Sequence, residues 1–170
     1  MKNGKKYLLT VIPIVIVVLI ICLFFTANTT KSIPLADGLR FGMSPKQAAK
    51  VLGEHCQVEY DAGDTGKNAY TYKAVVLDQE ATVTCYFWND RQLTEVVFLW
   101  ESESAELSDQ AYTCIYDHYH NKNDFFTKED NDSNAETKRT SLGIDNGVTG
   151  IFYNLYETHT SLQISCLVLS

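Results

Sequence analysis

The sequence has no Cys-x-x-Cys pair, no serine elbow, no glycine-rich cofactor loop and no paired carboxylates in a context that could use them. Each absence removes a chemistry. A structural zinc or thioredoxin-like redox site needs the cysteine pair, acyl transfer needs the elbow, and nucleotide binding needs the glycine frame. Gly66-Lys67 does not replace that frame, because Asn68 and then a strand follow it; residues Asp61 to Lys67 read as a plain turn. Positive charge is also short: 14 Lys and Arg stand against 21 Asp and Glu. All 21 acids follow Ile33 and meet only 11 basic residues after Thr30, a balance of −10 that does not suit nucleic acid. Solubility outside the cell explains such a surface, and a cationic partner is the alternative. We therefore expect no enzyme, no cofactor, no metal and no nucleic-acid partner.

What the sequence does have begins with Tyr7 to Ala27, a stretch without a single charge. At about 1.5 Å rise per residue it is long enough, at about 30 Å, to cross a bilayer core. Lys2, Lys5 and Lys6 precede it and only Lys31 follows closely, which places the N-terminus in the cytoplasm and the rest outside the plasma membrane. The flanks favour an uncleaved single-pass anchor. A cleaved signal would want small residues where Phe24-Phe25-Thr26-Ala27 stands, and a lipoprotein signal would want a small residue before Cys22 instead of Ile21. Residues 1–30 are thus read as cytoplasmic tail and anchor, 31–38 as a linker broken by Pro34, and 39–170 as an extracytoplasmic domain.

The domain is organised around Ala81 to Trp100, two apolar and aromatic arms separated by Asn89-Asp90-Arg91, the pattern of a hairpin. Before it, Ala69 to Leu77 alternates like a third strand. Ser44, Pro45 and Gln47 form a capping-box start for a helix over Pro45 to Leu52, with Gly53 as its stop. From Ser102 to His120 the period becomes helical, with Leu107, Ala111, Cys114 and Ile115 on one stripe. Lys128 to Lys138 reads as a charged loop. Asp130, Asp132 and Asn134 have the first spacings of a calcium loop, but Ala135 and Ser141 occupy the positions of its glycine and glutamate. Arg139 to Ile144, Val148 to Tyr156 and Ser161 to Leu169 then read as strands, with an Asn146-Gly147 turn between the first two. The expected fold is α+β: a transmembrane helix, then an antiparallel sheet of about six strands in two αβββ units, with two helices packed on one face.

The Phe41-Gly42-Met43-Ser44 helix entry, the Leu52-Gly53 exit, the tyrosine-rich strand and the run from Tyr86 to Phe98 together resemble the SmpA/OmlA-like domain and the wider β-lactamase-inhibitor-protein-like superfamily. The resemblance covers about residues 39 to 100 and extends more faintly to a second unit. It implies a protein-binding or envelope-structural module that exposes a sheet face or its loops, and every matching residue has a structural role.

Individual residues leave little room for catalysis. Cys114 and His118 share a helix face as a thiol–imidazole pair would, yet Cys114 lies in the apolar stripe, where an inert thiol is expected. His118 and His120 are two apart and point to different sides. Cys85 and Cys166 alternate with apolar strand residues, leaving disulfides and free buried thiols both open among Cys56, Cys85, Cys114 and Cys166. In a simple antiparallel pairing Tyr86, Trp88, Phe98 and Trp100 share one side of the hairpin, and they are the expected face for an extracytoplasmic protein partner. The competing expectation is a sensor or small-ligand-binding domain, which would show a concave site with converging polar groups.

Overall fold

Ser44 ends an extended approach and starts helix α1, Pro45–Leu52; the Gln47 side chain reaches back to accept the Ser44 N–H at 2.9 Å and its hydroxyl at 3.1 Å. Gly53 closes the helix at φ +89°, donating its N–H to the Ala49 carbonyl at 2.9 Å. These are the caps that the sequence predicts. The computed structural model describes residues 32–59, 66–102, 105–120, 125–131, 137–145 and 150–169. The anchor expected over Tyr7 to Ala27 and the Asn146-Gly147 turn lie outside them, and among the described residues no helix is long and apolar enough to cross a membrane.

After α1 come β1 (Gln57–Glu59), β2 (Lys67–Val76), β3 (Gln79–Trp88) and β4 (Gln92–Trp100), then helix α2 (Ala105–His120), then β5 (Phe125–Asn131), β6 (Thr137–Asp145), β7 (Gly150–Thr158) and β8 (Leu162–Leu169). All eight strands join one sheet in the order β1-β2-β3-β4-β8-β7-β6-β5, and every pairing is antiparallel. Each helix is thus followed by a four-stranded meander, and the two meanders meet where β4 pairs with β8. The expected six strands in two αβββ units become eight in two αββββ units. The additional strands have physical reasons to be missed. β1 is only three residues long with no buried side chain, and β5 carries the charged Lys128 to Asp130 that reads as loop.

One face of the sheet holds the core. Tyr72, Val83, Phe98, Ile164 and Leu155 run across five strands in register, all buried, and Cys85, Val96, Cys166, Tyr153 and Leu142 run beside them. Both helices pack here, through Ala48 of α1 and Leu107, Ala111, Ile115 and Tyr119 of α2. So does the segment before α1. Ile33, Leu35, Ala36, Leu39 and Phe41 are buried in the same cluster, so residues 33–38 are part of the domain and not of a linker. A tight reversal makes this possible: the Ile33 N–H donates to the Leu39 carbonyl at 2.9 Å, with Gly38 at φ +84°. Pro34, read as a break, lies inside this reversal, where its carbonyl accepts the Cys114 thiol at 3.4 Å.

Candidate functional site

The central hairpin carries one residue too many in its second arm. Trp88 pairs with Gln92 and Phe87 with Leu93, but Tyr86 pairs with Glu95, leaving Thr94 as a bulge whose hydroxyl donates to the Tyr86 carbonyl at 3.3 Å. Leu93, beside the bulge, is held from the other side by the helix entry: Gly42 N–H donates to its carbonyl and its N–H donates to the Met43 carbonyl, both at 2.8 Å. A one-residue shift moves every later side chain to the opposite face. Tyr86 therefore shares a face with Glu95, Val97 and Leu99, whereas Phe98 and Trp100 pair with the core row and are fully buried. The four aromatics expected on one side are split two and two. Trp88 is 46% exposed, while Trp100 is 0% exposed and donates its indole N–H to the Val76 carbonyl at 3.2 Å.

The face that keeps Tyr86 and Trp88 is free of both helices. Reading across the strands, one row runs Ala69, Tyr86, Glu95, Leu167, Phe152, Gly143; the next runs Thr71, Thr84, Val97, Ser165, Asn154, Ser141; the third runs Lys73, Thr82, Leu99, Gln163, Tyr156, Arg139. Phe152, 39% exposed, lies over two glycines. A Cβ on Gly143 would meet its ring at 3.4 Å and one on Gly150 at 3.2 Å, so the absence of side chains there lets the ring lie flat on the sheet. Glu95 sits near the centre, bonded to Lys67 at 3.3 Å and accepting the Ser165 hydroxyl at 3.3 Å. Burial, with Glu95 and Glu59 nearby, raises the pKa of the Tyr86 phenol above its ordinary value, so the hydroxyl stays protonated as a donor. At the far end Arg139 lies over the Tyr156 ring, 5.4 Å from its centroid, and reaches Asn154 Oδ1 at 3.4 Å; the Ser141 hydroxyl donates to the same oxygen at 3.0 Å.

Sequence reasoning missed the β7 half of this face. The signal was available, since Ile151, Tyr153 and Leu155 alternate with Phe152, Asn154 and Tyr156, an apolar side against a mixed one.

The residues weighed for chemistry lie elsewhere. The Cys114 thiol is half-buried on α2, and burial followed by the Asp117 charge raises its pKa, which disfavours the thiolate a nucleophile needs. His118 packs edge-on against Tyr119, with ring centroids 4.7 Å apart. Cys56, Cys85, Cys114 and Cys166 are all free thiols. Cys85 and Cys166 flank Val96 on neighbouring strands, one strand too far apart to bond, and burial pushes the Cys85 thiol up to about 12. Tyr153 hydrogen-bonds Tyr119 hydroxyl to hydroxyl at 3.0 Å, wholly inside the core. Among the described residues no group of three or more His, Cys, Asp or Glu side chains could hold a metal ion.

Comparison with known proteins adds no relative. No family model matches the chain, and neither a curated protein nor a solved structure matches it.

Proposed function

We propose that this is a single-pass, N-in plasma-membrane protein whose extracytoplasmic domain binds another protein through the uncovered sheet face and catalyses nothing. The observation that carries the reading is the pair Trp88 and Phe152, large aromatic side chains exposed on a face opposite the one that holds the buried core cluster. Around them Tyr86, Val97, Leu99 and Leu167 are partly exposed, and the Thr71, Thr84, Ser165 and Asn154 row supplies hydrogen-bonding groups, the mixture of aromatic anchors and polar surroundings that protein interfaces use. The charge-free Tyr7 to Ala27 stretch behind three lysines supports the anchor. The resemblance of the Gly42-Met43-Ser44 helix entry to SmpA/OmlA-like and β-lactamase-inhibitor-protein-like domains supports a binding role.

The test is site-specific photo-crosslinking in cells with the full chain, the reactive residue replacing Trp88, Phe152 or, as a control on the helix side, Val51. The same partner protein should be captured from positions 88 and 152 and not from 51. Equal capture from all three, or none from 88 and 152, overturns the reading.

A second reading has its own observation. A depression of about 550 Å³ lies at one end of the same face, lined by Lys73, Val75, Glu80, Thr82, Leu99 and Glu101 among others, and suits a small-ligand or sensor domain. A ligand bound there would raise the thermal midpoint of the wild type and not of a Leu99→Arg variant.

A further inference from the structure

We propose that Arg139 is the anchor of a carboxylate-binding subsite, which receives the side chain of an acidic residue on the protein that docks against the open face; this rests on the interaction reading above. Arginine offers five N–H donors in a planar fork that matches the two oxygens of a carboxylate. At Arg139 that fork is almost unused. Its only hydrogen bond among the described residues is the 3.4 Å contact to Asn154 Oδ1, and its Nε–H is buried without an acceptor. No described carboxylate lies within ion-pairing distance, although Lys138, the preceding residue, reaches Glu157 on the other face of the sheet at 3.8 Å and Lys67 has Glu95. Acids outnumber bases by 21 to 14 in this chain, yet among the described side chains none places a carboxylate against Arg139.

The surroundings hold the guanidinium in place. Tyr156, its cross-strand partner, lies beneath it, and Ser141 fixes the Asn154 carbonyl oxygen toward it. With that oxygen committed, the two Asn154 amide N–H donors have no acceptor among the described residues and are not buried. Guanidinium and amide together offer donors to one planar, two-oxygen acceptor. Phe152, Asn154 and Tyr156 alternate on the same face of β7, about 7 Å apart at each step. The apolar anchor at Phe152 and the cation at Arg139 are therefore about 14 Å apart, the span of an apolar and an acidic side chain four residues apart on an extended partner segment. Since the domain itself is acidic, this subsite sets the register of the partner more than the rate of its arrival.

The full chain, labelled with nitrogen-15, is observed by NMR at the Arg139 Nε–H while acetate is added, with chloride and phosphate at equal ionic strength as comparisons. The expected result is a saturable shift with acetate, at least five-fold weaker with chloride or phosphate, and at least five-fold weaker with acetate in Asn154→Ala. A second arm separates a protein side chain from a free small carboxylate as the source. A peptide with Phe and Glu four residues apart should bind at least ten-fold tighter than acetate, and the same peptide with Gln in place of Glu should lose that gain. No saturable acetate shift, an equal response to chloride, or tighter phosphate binding overturns the subsite; a peptide no better than acetate overturns the partner assignment. Crosslinking from Trp88 and Phe152 without an acetate response removes the subsite alone, whereas an acetate response without crosslinking removes the interaction reading.

Discussion

Trp88 and Trp100 belong to the two arms of one hairpin, yet the first is nearly half exposed and the second is sealed in the core. Composition does not distinguish them: both end an arm rich in β-branched and aromatic residues. What separates them is parity. The even-numbered residues of β3 point to the open face, and beyond the bulge at Thr94 the even-numbered residues of β4 point to the core. The same residue type is thus sealed in the core on one face and exposed on the other, and a single bulged residue decides which.

The strongest way to break this comparison is to insert one alanine between Glu95 and Val96. With the turn register kept, Val96, Phe98 and Trp100 are turned to the open face, and we expect loss of cooperative thermal unfolding in circular dichroism, whereas deleting Thr94 removes the bulge and leaves every pair and face as it is. Next in size is Trp100→Ala, expected to cost about 3–5 kcal/mol in urea denaturation, because it empties a closed site and strands the Val76 carbonyl. A smaller effect separates the faces by pH. Cys85 keeps its proton in the folded state to about 12 against an ordinary 9.0, while the unfolded chain gives its proton up near the ordinary value. Stability from this group is therefore intact below pH 9 and falls as pH rises from there toward 12, by about 1.4 kcal/mol per pH unit. Cys166 and Tyr153, also raised by burial, act in the same direction. Urea midpoints between pH 8 and 10.5 should fall, less steeply in Cys85→Ala. The smallest expected change is in Trp88→Ala, within about 0.5 kcal/mol of wild type, since an exposed side chain contributes little to folding. A cost comparable to that of Trp100→Ala would mean that the open face is structural after all.

Much of the fold was legible in the sequence where periodicity is strong. Both helices, the capping box at Ser44 and Gln47, the β2–β3–β4 meander and the β6–β7–β8 meander follow from apolar spacing and turn residues. The bulge was not legible, because Thr94 is an ordinary strand residue and its exclusion from the ladder accompanies contacts from Gly42 and Met43, some fifty residues earlier. Residues 33–38 were misread for a similar reason: a short segment containing a proline looks like a tether until the distant core cluster takes in Ile33 and Leu35 and the Cys114 thiol of α2 reaches the Pro34 carbonyl. Of the four aromatics expected on one side, Tyr86 and Trp88 do lie on the open face, while Phe98 and Trp100 lie in the core because the bulge changes the parity of their arm. Arg139 was invisible, since nothing local says that a charged strand residue will lie over a tyrosine ring.

The pairing of β4 with β8 also governs how the sheet can assemble. Glu95 and Ser165, joined across that seam, are 70 residues apart in the chain. Each meander can zip up from its own turns, but the seam closes only after a long loop has been closed, which makes it the slow step of a high-contact-order fold. Until then β4 presents an unpaired edge bearing Val96, Phe98 and Trp100, the kind of edge through which a half-formed sheet captures a neighbour's strand. Crowded chains of this protein would therefore be most vulnerable to exchanging halves during that interval, with the β5–β8 meander of one chain completing the β1–β4 meander of another.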